Sequence, residues 1–197
     1  MPMSEVLHDN KITDAPLLGD HLAMDLLNTE ARSGDVVVDY WNSDADVFRW
    51  LQQNNISAVA GLSSLADGEL LSQAKALRAL SHQLIRAFKQ HQQQDVSRLN
   101  TYLHSYVSAP HLVQCGDGKL TITRVSRGET VSSMLGQVAE AVAQLLVDGD
   151  ATLVKQCEHP DCILWFYDRT KAHKRRWCSM ATCGNRYKAA QFRKRKS

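Results

Sequence analysis

Four of the five cysteines, Cys157, Cys162, Cys178 and Cys183, form two CxxxxC pairs separated by fifteen residues. Zinc favours four soft or borderline ligands in a tetrahedron, and two cysteine pairs on tight turns, joined by a short insertion, can supply four thiolates. A segment of this size has too little apolar surface to fold unaided. A structural zinc ion supplies roughly 10–16 kcal/mol of apparent folding free energy in such modules and can replace a core. The expected cofactor is Zn²⁺, held by these four cysteines. His159 and His173 lie close enough in sequence to replace a cysteine as ligand, although the matched pairs favour four thiolates. Buried thiols without metal are the plainer reading. The remaining histidines are scattered.

The same segment carries the positive charge. Residues 155–197 hold 12 Lys and Arg against 3 Asp and Glu, a net +9, whereas residues 1–154 hold 11 against 18, a net −7. Four thiolates and one Zn²⁺ would bring the basic segment only to +7. Lys174, Arg175 and Arg176 lie in the insertion between the pairs. Arg186, Lys188, Arg193, Lys194, Arg195 and Lys196 lie in a run of good helix formers that begins just after Cys183. A basic helix fixed at one end by a metal site is suited to a groove or to phosphates, and its cations would release counterions from a nucleic acid. Arg186, nearest the fixed end, is placed to read a base edge. A solvated basic face is the alternative. Within the insertion, Ile163 to Tyr167 suggests a β-hairpin arm covering the metal, its rings packing there or stacking on bases. Gly184 permits close backbone approach beside a thiolate. Knuckle, hairpin and helix together give a treble-clef-like finger.

No other feature proposes strong chemistry. Four thiolate ligands leave no open position for a catalytic water, and no nucleophile elbow, phosphate loop or HExxH occurs. The chain is therefore not expected to be an enzyme. Cys115 beside a turn reads as a redox thiol or as a small apolar filler.

The elements that must carry this module are mostly helical. His21 to Arg32 places Leu22, Ala23, Leu26 and Leu27 on one helical face and Asp25, Asn28 and Thr29 on another. Asp44 to Asn54 reads as a second helix, and Gly61 to Gly68 as a turn. A long amphipathic helix is expected from about Asp67 to Gln93, with a stripe running from Leu70 to Phe88. Asp95 could cap a further helix through Val107, stopped by Pro110. Two strand-like runs around Gly116-Asp117-Gly118 form a β-hairpin signal, and Glu129 to Val147 gives a last apolar stripe. The expected class is α+β, mostly α: a helical domain with one β-hairpin over residues 1–150, then the finger over residues 151–197.

Composition agrees with a folded protein, at 44% hydrophobic and 22% charged residues over 197 positions. No apolar run approaches a membrane span, and the first residues lack a signal-peptide pattern. A cytoplasmic location follows as the expectation, and there cysteines are thiols or metal ligands rather than disulfides.

The string CGNR (Cys183 to Arg186), preceded by RRWCSM and a CxxxxC pair, resembles the CGNR zinc finger. HLAMDLLNTEAR near the start, with Val38-Asp39-Tyr40 and VFRWLQQNNI, resembles the ABATE domain that precedes this finger in bacterial stress-induced transcription regulators. The resemblance implies DNA binding by the finger and sensing of a small-molecule effector by the larger domain. The matching positions of the amino-terminal motif are Asp25, Asn28 and Thr29, which could bind that ligand or form a buried hydrogen-bond network joining helices. The leading expectation is a transcription regulator whose partner is DNA, with RNA as another polyanion it could hold and a homodimer as one role for the helical domain. A protein-interaction adaptor with an acidic partner is the competing class.

Overall fold

The computed structural model describes residues 14–33, 36–56, 66–128 and 130–196. Helices α1 (Leu22–Leu27), α2 (Asp44–Gln53), α3 (Glu69–Lys89), α4 (Ser97–Ser105), α5 (Val131–Met134) and α6 (Gly136–Asp148) surround one apolar core. Two antiparallel hairpins belong to the same part of the chain, β1 (Glu30–Ser33) with β2 (Val36–Asp39), and β3 (Ser108–Gln114) with β4 (Leu120–Ser126). A third hairpin, β5 (Val154–Gln156) with β6 (Trp165–Tyr167), leads through a π-helical turn (Met180–Gly184) into α7 (Asn185–Lys196). The architecture is α+β and mostly α. Among the described residues no helix is long and apolar enough to cross a membrane.

The long helix α3 forms as its stripe requires, with Leu70, Ala74, Leu77, Leu84 and Ile85 all buried. Its start has no cap of its own. Gly68, at φ +77°, cannot donate a side chain there. The carboxylate of Asp44, at the start of α2, accepts instead from the Gly68 and Leu71 amides at 2.8 and 2.6 Å. That bond pair fixes α2 against α3 and satisfies amides that a helix start leaves orphaned.

The first helix is shorter than its apolar spacing suggests. It ends at Leu27, and the expected continuation to Arg32 is instead strand β1. The Thr29 hydroxyl donates back to the Leu26 carbonyl at 2.8 Å, and the next four residues pair with the β-branched run Val36–Val38 and Asp39. Among the described residues the larger domain therefore holds two hairpins where one was expected, and the third belongs to the finger. Pro110 lies within β3 rather than ending a helix, since α4 stops at Ser105. The turn expected at Gly61–Gly68 lies mostly outside the described residues. The β3–β4 hairpin forms around Gly116-Asp117-Gly118, with Cys115 exposed at its end, so a role as apolar filler is excluded for this thiol.

The core does not stop where the helical segment ends. Val154 and Trp165, on opposite strands of the third hairpin, belong to the same buried cluster as Leu26, Leu77 and Val142. Burying a tryptophan removes on the order of 150–250 Å² from water, which makes Trp165 a major tie between the two segments.

Candidate metal centre and basic face

The sulfur atoms of Cys157, Cys162, Cys178 and Cys183 lie within 4.8 Å of one another. Two of the separations are 3.7 Å, between Cys162 and Cys178, and 3.5 Å, between Cys178 and Cys183. A tetrahedral ion with metal–sulfur bonds of about 2.3 Å has sulfur–sulfur edges of about 3.8 Å. The donor set and its dimensions therefore fit a four-thiolate metal site. Neither His159 nor His173 joins the cluster: the His159 ring accepts from the Asp161 amide at 3.2 Å, and the His173 ring faces the Asp168 carbonyl at 3.3 Å.

Local structure explains how the ligands converge. β5 runs directly into Cys157, and the Cys157 amide donates to the Leu164 carbonyl at 2.8 Å, closing a knuckle that carries Cys162. The hairpin expected within Ile163–Tyr167 does not form there. β6 turns back to pair with β5, so the first cysteine pair sits at the hairpin's end. In the second pair, Cys178 precedes the π-helical turn and Cys183 lies within it. The Ser179 hydroxyl accepts from the Thr182 amide at 3.3 Å, the Gly184 amide donates to the Ser179 carbonyl at 3.1 Å, and α7 starts at the next residue. A Cβ at Gly184 would lie 2.5 Å from the Met180 sulfur and 3.1 Å from Trp177, so a side chain there would require the flexible Met180 to move aside.

The electrostatics call for a cation. Hydrogen bonds from the Cys162 and Cys178 thiols hold Cys157 far below the ordinary thiol range, while the same bonds push Cys162 up to about 12 and Cys178 upward as well. Packed this closely, Cys157 ionises at the expense of Cys162 and Cys178. Only a bound cation allows all four to ionise together. Phe166, Leu164 and Ala31 of β1 cover the cluster, so the larger domain closes one side of it.

Around the cluster the insertion is tied down by Asp168, which sequence reasoning did not single out. Its fully buried carboxylate accepts from Lys155 at 2.7 Å, from the Thr170 hydroxyl at 2.6 Å and from the Arg175 amide at 2.9 Å. Burial pushes this carboxyl up, but these donors outweigh it and hold it well below the usual range. Lys155 also donates to the His173 carbonyl at 2.7 Å. A lone acid among basic residues was the available signal.

The basic residues divide into two groups. Arg175 points inward, which corrects its assignment to the nucleic-acid face. Its guanidinium bonds the Asp20 carboxylate and the carbonyls of Leu18, Trp177 and Cys178, and lies 4.2 Å from the Phe166 ring centre. With those donors engaged, it acts as a clamp between the finger and the segment before α1. Lys174, Arg176, Arg186, Lys188, Arg193, Lys194, Arg195 and Lys196 are exposed. Arg176 pairs with Glu158 at 2.6 Å and lies 4.9 Å over the Trp177 ring, which in turn packs on Tyr187 at 4.8 Å. Arg186 approaches Asp161 at 3.8 Å. No residue of α7 is buried.

Asp25, Asn28 and Thr29 are all buried. Asp25 accepts from the Gly19 amide at 2.8 Å. Burial raises its carboxyl to about 6, against the lowering pull of that bond. Asn28 bonds the backbone of Trp165 in both directions. Thr29 accepts from Arg78 at 2.9 Å. Arg78 reaches Asp39 through both its terminal nitrogens, at 2.9 and 2.8 Å, and Glu30 at 3.1 Å. Burial raises the Asp39 carboxyl, but bonds from Arg78, Lys75 and the Trp41 amide bring it down to about 2. Gly19 is hemmed in on the same surface: a Cβ would lie 2.5 Å from Met24 Cβ and 2.8 Å from the Asp25 nitrogen, while its carbonyl accepts from the Tyr167 amide at 2.8 Å.

A mostly helical domain joined through a shared core to a four-cysteine, metal-binding finger with a basic helix defines the class of this protein. Comparison with known families specifies it further. Residues 20–149 match ABATE, described as "Putative stress-induced transcription regulator", and residues 154–196 match the CGNR zinc finger. The chain belongs to the ABATE family and carries a CGNR zinc finger. No curated protein matches it.

Proposed function

We propose that this is a cytoplasmic, non-catalytic transcription regulator in which a zinc ion on Cys157, Cys162, Cys178 and Cys183 fixes α7 for contact with DNA. The observation that carries this reading is the position of α7. It starts two residues after the last cysteine, carries six cations on exposed positions, and sends no side chain into the core. A helix that follows directly on the metal ligands and is rich in exposed cations is suited to a partner with regularly spaced negative charge. Arg176 on the Trp177 and Tyr187 rings adds a rigid cation beside that start. The larger domain serves as the sensing part, because its buried Asn28 and Arg78 networks reach the finger or the strand covering it. An electrophoretic shift with mixed-sequence DNA, titrated with salt, tests the reading. A shift that weakens steeply with salt is expected, and no shift at any salt concentration would leave the acidic-partner adaptor in its place.

Self-association is assigned to the β3–β4 ribbon. Leu112, Leu120 and Ile122 share one exposed face of it, at 61, 64 and 71% exposure. A two-stranded ribbon with apolar residues in water is marginal alone. The outer edge of β4 contains no proline, unlike β3 with Pro110, so a second copy can add to it strand to strand.

A further inference from the structure

A cavity of about 470 Å³ opens between α3 and the finger, and its size lies within the range of small-molecule sites. One wall is a helical face of α3 presenting Lys75, Arg78, His82 and Arg86, spaced three or four residues apart. The opposite wall comes from the finger, with Gln156, Ile163 and Trp165. The charges on the α3 wall are not equally available. Lys75 bonds Asp39 at 2.8 Å, and Arg78 is neutralised by Asp39 and Glu30. Arg86 has no ion pair among the described residues. Beside it, the Nδ1 atom of His82 is buried without a hydrogen-bond partner, and the His82 ring meets Trp165 edge-on at 6.4 Å between centres.

We infer that this cavity binds a small organic carboxylate with a flat apolar body, its carboxylate on Arg86 beside His82 and its body against Trp165 and Ile163. Two walls from different parts of the chain make the ligand a bridge. Its occupancy fixes the finger's hairpin on α3, so it bears on the same seat that Asn28 holds through the Trp165 backbone. The ligand position is therefore distinct from Asp25, Asn28 and Thr29, none of which lines the cavity. The inference rests on the sensing role proposed for the larger domain and is independent of DNA contact.

The test uses the metal-loaded full chain without DNA, with benzoate and indole-3-carboxylate as probes and benzamide and acetate as controls, read by titration calorimetry. The carboxylates with rings are expected to bind at least about tenfold more tightly than either control, the effect of one charge-assisted contact on an apolar platform. Arg86→Gln, at an exposed position with no ion pair among the described residues, is expected to keep the thermal midpoint and metal content and to remove the preference for benzoate over benzamide. The inference is overturned by equal affinity for benzoate and benzamide, by no binding of either ring carboxylate at millimolar concentration, or by an unchanged preference in Arg86→Gln. Because DNA is absent from the cell, failure here leaves the DNA shift to stand or fall by itself.

Discussion

The side chain of Asn28 is bonded to both backbone groups of Trp165: its Oδ1 accepts from the Trp165 amide at 2.8 Å and its Nδ2 donates to the Trp165 carbonyl at 2.9 Å. The two residues are 137 positions apart, and both are buried. A carboxamide reproduces what a neighbouring strand would offer, so Asn28 completes the hairpin from the larger domain. Asn28→Asp would lose the donor and bury a charge, and Asn28→Leu would leave two backbone groups unpaired. Each is expected to cost about 2–4 kcal/mol, from roughly 1–3 kcal/mol per unsatisfied buried group. Chemical denaturation checks this, and a loss under 1 kcal/mol in both variants would remove Asn28 from that role.

Asp25 gives a pH signature of unusual sign. Its folded carboxyl stands near 6 against an ordinary 3.8, so unfolding releases its proton between about pH 4 and 6. Its ionised form opposes folding, and that contribution lowers stability as pH rises through this window, reaching its full cost above pH 6. Asp25→Asn keeps an oxygen to accept from Gly19 without the charge. It is expected to stabilise the protein by on the order of 1–2 kcal/mol at pH 7.5, with a smaller gain at pH 5. Denaturation midpoints at the two pH values decide it, and an equal difference at both would refute the assignment.

Removal of the metal is expected to affect more than the finger. Ala31 of β1 packs on the cysteine cluster and Trp165 lies in the main core, so chelation should lower the thermal midpoint of the whole chain along with DNA binding. Cobalt reconstitution should give the visible bands of a tetrahedral tetrathiolate site, and each single Cys→Ser variant should weaken cobalt affinity. A chelated protein that melted and bound DNA as before would separate metal from function.

The two groups of cations predict opposite phenotypes. Replacing Lys194, Arg195 and Lys196 by Gln should leave the melting point unchanged and reduce the slope of log affinity against log salt by roughly 0.9 for each DNA phosphate that is no longer neutralised. Arg175→Gln should instead destabilise the fold by about 2 kcal/mol or more, since its guanidinium makes charge-assisted bonds at the junction. A reversal of the two patterns would show that the inward placement of Arg175 does not govern its role.

For the ribbon, sedimentation should show a dimer that Ile122→Lys converts to monomer without changing metal content. A wild-type chain that stays monomeric at the highest soluble concentration would rule out this surface.

The cysteine cluster was legible because its spacing states its chemistry, and the α3 stripe because a 21-residue amphipathic helix repeats its signal many times. The helix from His21 was overextended because the four residues Glu30–Ser33 carry no alternation of their own and become a strand through pairing with Val36–Asp39. Arg175 resembled its basic neighbours, and only the fold reveals that carbonyls from two separate segments converge on it. The cavity was hidden for a related reason. Lys75, Arg78, His82 and Arg86 show a polar helical face, but the aromatic wall opposite comes from a strand about 80 residues later, and contacts at that separation are set by tertiary packing rather than by any local pattern.

Trp165 lying in the helical core has a consequence for how the finger can be handled. Many zinc fingers behave as cassettes that can be cut out and grafted, because their metal is their core. Here the hairpin lends Val154 and Trp165 to its neighbour and borrows a carboxamide, an aspartate and a glycine carbonyl in return. A chain severed near residue 150 would leave a tryptophan-sized void on one side and an exposed aromatic strand on the other. The finger is better regarded as a keystone than as an appendage, and heat should take both parts apart in a single transition.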